Sequence, residues 1–141
     1  ATQGTAMLRS VSLRDYMLRH PATVRSDATI HEAMQVIVDN KISGLCVVDE
    51  AGQLVGILSE LDCLRAILGA AYTESDPGRV ADVMAKDNLV VAHPDEDIID
   101  VAQDMLIKNK RRRPVVENGK LIGQITCRQL LEAVSRFQRR P

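Results

Sequence analysis

Displaced by about 67 residues, the sequence falls on itself. Leu13-Arg-Asp-Tyr-Met17 meets Val80-Ala-Asp-Val-Met84, and Val24 meets Val91. One extra residue near His93-Pro94 moves the offset to 68. Ile30 then meets Ile98, Ala33 meets Val101, and Cys46-Val-Val48 meets Pro114-Val-Val116. The first copy's hairpin is one residue longer, so the offset returns to 67. Gly52 there meets Gly119, Leu54 meets Leu121, Gly56 meets Gly123, and Leu64 meets Leu131. Apolar, glycine and loop positions thus keep step over the whole unit. Two copies are too few for a solenoid. They predict two modules packed about a pseudo-two-fold axis, with repeat 1 over 11–69, a linker over 70–78 and repeat 2 over 79–137.

Each copy reads α-β-α-β-β-α, a mixed α/β pattern. A short helix comes first, Ser12–Met17 or Val80–Met84, and then a short strand, Ala22–Val24 or Leu89–Val91. An amphipathic helix follows. Thr29-Ile-His-Glu32 is a capping box, and Ile30, Ala33, Met34 and Ile37 recur at helical spacing. Ile98, Val101, Ala102 and Met105 repeat that stripe. Two apolar strands come next, Leu45–Val48 with Leu54–Leu58, or Val115–Val116 with Leu121–Ile125. Their connectors carry turn residues, and Asn118-Gly119 suits a tight hairpin. A last helix opens at Ser59 or Thr126. It carries Leu61, Leu64, Ile67 and Leu68, or Leu130, Leu131, Val134 and Phe137. The connector Thr73-Glu-Ser-Asp-Pro-Gly78 is polar and turn-rich.

Composition excludes several classes. Eighteen basic and 19 acidic residues leave a net charge of −1, which opposes a general nucleic-acid coat or a polybasic membrane protein. Tyr16, Tyr72 and Phe137 are the only aromatics, too few for a base-stacking platform. A flat ring held by this chain must lie between aliphatic side chains. Cys46, Cys63 and Cys127 form no CxxC pair and are expected to be reduced, as in a cytoplasmic protein. His20, His31 and His93 fit no metal-binding spacing, so no metal is expected. No apolar run reaches a bilayer's width, and Ala1–Ser10 lacks the apolar stretch of a signal peptide. Met7 is read as the natural start. No nucleophile–base pair, paired carboxylates or metal set appears, so the chain is not expected to be an enzyme.

Two segments carry a family resemblance. One is Leu45-Cys-Val-Val-Asp49 followed by Gly52-x-Leu-Val-Gly-Ile-Leu-Ser-Glu-Leu-Asp62. The other is Arg113-Pro-Val-Val-Glu117 followed by Gly119-Lys-Leu-Ile-Gly-Gln-Ile-Thr-Cys-Arg-Gln129. Together, over about residues 11–137, they resemble a tandem pair of CBS domains, the regulatory module named after cystathionine β-synthase. The resemblance implies a disc-like pair with clefts between the two sheets. Such clefts hold adenosine ligands: AMP, ADP, ATP, NAD or S-adenosylmethionine.

The residues of Ser59-x-x-Asp62 have two readings. A serine at a helix N-terminus stands beside free N–H groups that favour an anion, and an aspartate one turn in accepts two hydrogen bonds from a vicinal diol. The same spacing is also nearly a capping box and nothing more. The resemblance implies ribose binding, with capping secondary. Thr126-Cys-Arg-Gln129 replaces the acid with an amide that has one acceptor oxygen, so that site is expected to be weaker or altered.

The resemblance also places phosphate-binding residues just before the Pro-Val-Val strand. Arg111 and Arg112 take those positions, with Ser43 and Gly44 their counterparts and Lys110 beside them. Guanidinium groups pair with phosphate oxygens, although a charge run of this kind is also an ordinary solvated surface. Arg113 aligns with Leu45, so it is expected to be partly buried and to need an anion. Ala22, Thr23 and Leu89 are implied to line the adenine. The expected function is nucleotide sensing with a change of shape or partner affinity, AMP being the first candidate and an effector protein the unknown partner. The alternatives are nucleic-acid binding through Arg111–Arg113 with Arg136, Arg139 and Arg140, or a purely structural dimerisation module. Ile99, Leu106, Ile107, Val36 and Val38 widen the apolar helix faces, which predicts a homodimer through helices.

Overall fold

The computed structural model describes residues 11–138, with side chains through Ser135. Met7, Arg139, Arg140 and the side chains of Arg136 and Phe137 lie outside the described residues. In chain order the elements are β1 (Leu18–Arg19), β2 (Thr23–Arg25), α1 (Ile30–Asn40), β3 (Gly44–Val48), β4 (Leu54–Ser59), α2 (Glu60–Thr73), α3 (Val80–Val83), α4 (Ile98–Ile107), β5 (Arg112–Glu117), β6 (Lys120–Thr126) and α5 (Cys127–Gln138), after a 3-10 turn at Leu13–Asp15. Two compact units result, and their limits cross those of the sequence repeats. One holds residues 21–89 and 119–121, and the other holds residues 11–20, 90–118 and 122–138.

The unit of residues 21–89 is built on the sheet β2-β3-β4. β2 runs parallel to β3, with Val24 opposite Val47, and β3 pairs antiparallel with β4, with Gly44 opposite Ser59. Helix α1 forms because Thr29 caps it: Thr29 Oγ1 accepts from Glu32 N at 3.1 Å, and Glu32 Oε1 reaches back to Thr29 N. It stops where Lys41 turns left-handed, at φ 54°. Its apolar stripe of Ile30, Ala33 and Ile37 packs on Leu45, Val47 and Leu58. Each large side chain buried there contributes about 1.5–3 kcal/mol.

The other unit is built on the sheet β1-β6-β5. The Asn118-Gly119 turn after β5 has both residues at positive φ, 54° and 81°, as the tight hairpin requires. Leu13, Ile98, Val101, Met105, Val115 and Ile125 form its core.

Two local expectations are corrected. Residues 89–91 form no strand, and the parallel pairing there is a single bridge, Ala92 with Val115. Pro114 on β5 lacks the N–H that the preceding rung would donate to Val90 O, so the ladder does not extend back through residues 89–91. The opening helix of repeat 1 is only the 3-10 turn. Leu18–Arg19 forms a strand that no alternating pattern announced, pairing antiparallel with Gln124 and Gly123. Helix α2 runs through Thr73.

Candidate functional site

Ser59 ends β4 and caps α2. Its Oγ accepts from Asp62 N at 3.0 Å, and Asp62 Oδ2 accepts from Ser59 N at 3.0 Å. The capping box is therefore formed in full. Asp62 keeps one further oxygen, Oδ1, which lies 3.3 Å from Arg65 Nη1. Ser43 is drawn to the same place, because its carbonyl accepts from Glu60 N at 2.9 Å. Gly44 is needed beside it: a Cβ there would lie 3.2 Å from Leu58 O. Of the expected base-lining residues in this unit, Ala22 is half-buried against the core and Thr23 is exposed on β2, opposite Cys46. Leu89 is half-buried outside any strand.

The other unit repeats this arrangement with different chemistry. Arg111 O accepts from Cys127 N at 2.9 Å, the same bond that Ser43 O makes with Glu60 N. The alignment of Ser43 with Arg111 is thus reproduced in three dimensions. Arg111 and Lys110 are exposed, and Arg112, the first residue of β5, is half-buried. They stand beside the N-terminus of α5, where Thr126 Oγ1 accepts from Gln129 N at 3.1 Å. Gln129 Oε1 accepts from Thr126 N at 2.9 Å. That amide oxygen is already taken by the cap. Each unit thus gathers its own candidates: Ser43 with Ser59 and Asp62 in one, and Lys110, Arg111 and Arg112 with Thr126 and Gln129 in the other.

Arg113 is 3% exposed, and its Nη2 lies 2.8 Å from Asp104 Oδ2. The anion that its burial demanded is therefore Asp104, one turn before the end of α4. The approach angle is poor, and Nε and Nη2 have no hydrogen-bond partner. Lys108 bonds to the same carboxylate at 3.0 Å. Lys108 first, and Arg113 with it, hold the Asp104 carboxyl below the ordinary carboxylate range.

Sequence spacing missed one cluster. His93, Asp95 and Glu117 bring ligand-type atoms within 4.8 Å of one another. Arg14 lies among them, 3.0 Å from Glu117 and 3.3 Å from Asp95, and supplies the balancing positive charge. Nothing in the spacing of 14, 95 and 117 signals it. Cys46 and Cys63 are buried and Cys127 is half-buried, and none of the three is in a disulfide. Burial, and next the charge of Asp62, push the Cys63 thiol up. No helix among the described residues is long and apolar enough to cross a membrane.

The CBS domain family matches the chain twice, over residues 13–69 and 80–136. An uncharacterized Methanocaldococcus jannaschii protein, MJ1225, is 31% identical over 120 residues, 85% of this chain and 41% of that protein. Inosine-5'-monophosphate dehydrogenase of Aquifex aeolicus is 36% identical over 82% of this chain and only 23% of the enzyme. The chain therefore spans less than half the length of these curated relatives. Among solved structures, CBSX2 in complex with AMP is similar at a TM-score of 0.80 and 29% identity, over 92% of this chain and all of that one. CBSX2 is an Arabidopsis thaliana CBS-pair protein. The CBS domain pair of MJ0100, with 5'-methylthioadenosine and S-adenosyl-L-methionine, is similar at a TM-score of 0.73 and 27% identity, over 89% of this chain and 96% of that one.

Proposed function

The chain belongs to the CBS domain family, and from that premise we propose that it is a regulatory module sensing an adenine nucleotide. AMP is the first candidate, ahead of ADP, ATP, NAD and S-adenosylmethionine. The reading is supported by the AMP in the CBSX2 structure and the adenosine compounds in the MJ0100 structure. Binding favours whichever conformation fits the ligand better, and regulation requires nothing more.

The observation that carries the reading to residues is the difference between the two helix starts. Asp62 retains an acceptor oxygen beyond its cap, whereas Gln129 has committed its single one. Ser59 and Asp62 are accordingly assigned to the ribose, with Ser43 beside them, and Thr126 with Gln129 to a weaker site. Ala22, Thr23 and Leu89 are assigned to the base. Arg111 and Arg112, with Lys110, are assigned to phosphate, because paired guanidinium donors match its oxygens.

The test is calorimetry with AMP on Asp62→Asn, which keeps an oxygen for Ser59 N but loses the charge. A hydrogen bond to a charged acceptor contributes about 1.5–3 kcal/mol, so affinity should fall about 10- to 100-fold with the fold intact. Unchanged affinity overturns the ribose assignment.

A second copy of the chain is the proposed partner. Val38, Leu61, Leu64 and Leu68 on α1 and α2 are 54–61% exposed, and Leu106, Ile107 and Leu131 on α4 and α5 are 70–82% exposed. Val36 does not join them, because it packs against the core. Each unit thus exposes an apolar helix face, which a homodimer would bury.

A further inference from the structure

Arg65 lies one turn beyond Asp62 on α2, with its side chain 74% exposed, while that of Asp62 is 23% exposed. Its Nη1 is 3.3 Å from Asp62 Oδ1, the oxygen that the cap leaves available. The cap uses Oδ2, on the backbone of Ser59. A sugar hydroxyl donating to Oδ1 therefore meets an arginine that already donates to the same oxygen. At the corresponding position 132, which is 65 plus 67, the second repeat carries an exposed glutamate in place of the arginine.

We propose that Arg65 is a positioning residue that guards the Asp62 carboxylate and sets its affinity for a ribose diol by competing for Oδ1. The proposal rests on the assignment of Asp62 to the ribose. Before a diol binds, Arg65 holds Oδ1 in place. On binding, a sugar hydroxyl donates to Oδ1 in its stead, and the guanidinium swings into water, where its exposure leaves it free to go. The competition is small, since an exposed pair contributes about 0.2–1 kcal/mol. Affinity for the diol is therefore lower by up to about fivefold than the carboxylate alone would give. Salt screens such a pair, so diol affinity rises with ionic strength.

The experiment uses adenosine and 2′,3′-dideoxyadenosine, which are neutral, so that loss of a positive charge does not act through a phosphate. Binding to the wild type, Arg65→Gln, Arg65→Lys and Asp62→Asn is measured by calorimetry at low and physiological salt. Arg65→Gln should tighten adenosine about two- to fivefold, abolish the rise with salt, and leave the dideoxy compound unchanged. Arg65→Lys should restore wild-type behaviour. Equal or weaker adenosine binding by Arg65→Gln, with Asp62→Asn still impaired, overturns the role of Arg65 and leaves the ribose assignment standing. An Asp62→Asn variant that binds adenosine like the wild type, or a wild type that does not bind it, overturns both.

Discussion

Gly56 and Gly123 occupy the same place in the two repeats, each covered by a methionine and the backbone that follows it. A Cβ at Gly123 would lie 2.7 Å from Leu18 O, and one at Gly56 would lie 2.9 Å from Ala85 O. The repeat made both positions conspicuous, but what approaches them comes from distant sequence. Backbone gives way less readily than a side chain. Gly123→Ala should therefore destabilise the fold by about 1–3 kcal/mol, measured by urea denaturation. Gly69 is the contrast. It lies inside α2 with nothing within 4 Å of a built Cβ. Gly69→Ala should stabilise by about 0.5–1 kcal/mol in the same assay, because only helix propensity changes.

Helix starts follow from short spacings, and all three capping pairs expected or noted in the sequence, at Thr29, Ser59 and Thr126, are made. Thr29→Ala, which removes one of them, should cost about 1 kcal/mol in thermal or urea unfolding. The strands were less legible. β1 has only two residues and no alternation, so only the exposed edge of β6 explains it. The strand expected at 89–91 failed because Pro114, opposite it on β5, has no N–H to donate to the preceding rung. Between α4 and β5, Asp104 balances the buried charge of Arg113. Its carboxyl is depressed in the folded state, so the stability it contributes is present above the ordinary carboxylate range and is lost as pH falls through the depressed value. Asp104→Asn should lower stability at neutral pH and flatten the acid limb of a stability–pH profile. Arg113→Met should be nearly neutral, because it removes the buried charge together with its desolvation penalty. If Asp104→Asn is as stable as the wild type at pH 7, the ion pair has no structural weight.

For the whole molecule, two outcomes follow from the proposed module. AMP at 100 times its dissociation constant should add about 2.7 kcal/mol of stability, seen as a rise in melting temperature, and the same AMP concentration should add only about 0.4–1.4 kcal/mol to Asp62→Asn. Light scattering at micromolar concentration should give a dimer, and Leu61→Glu with Leu131→Glu should give a monomer, since a charge on each apolar helix face opposes its burial. A monomeric wild type contradicts the dimer. The sequence alone determined the twofold repetition, the helix caps, the Asn118-Gly119 turn and the chemical difference between Asp62 and Gln129. These depend on residue types within a few positions of one another. Tertiary structure alone decided that the chain's first strand joins β6, that Arg14 sits among His93, Asp95 and Glu117, and that Asp104 answers Arg113. Contacts between distant residues are set by packing and charge in three dimensions, and no local spacing encodes them.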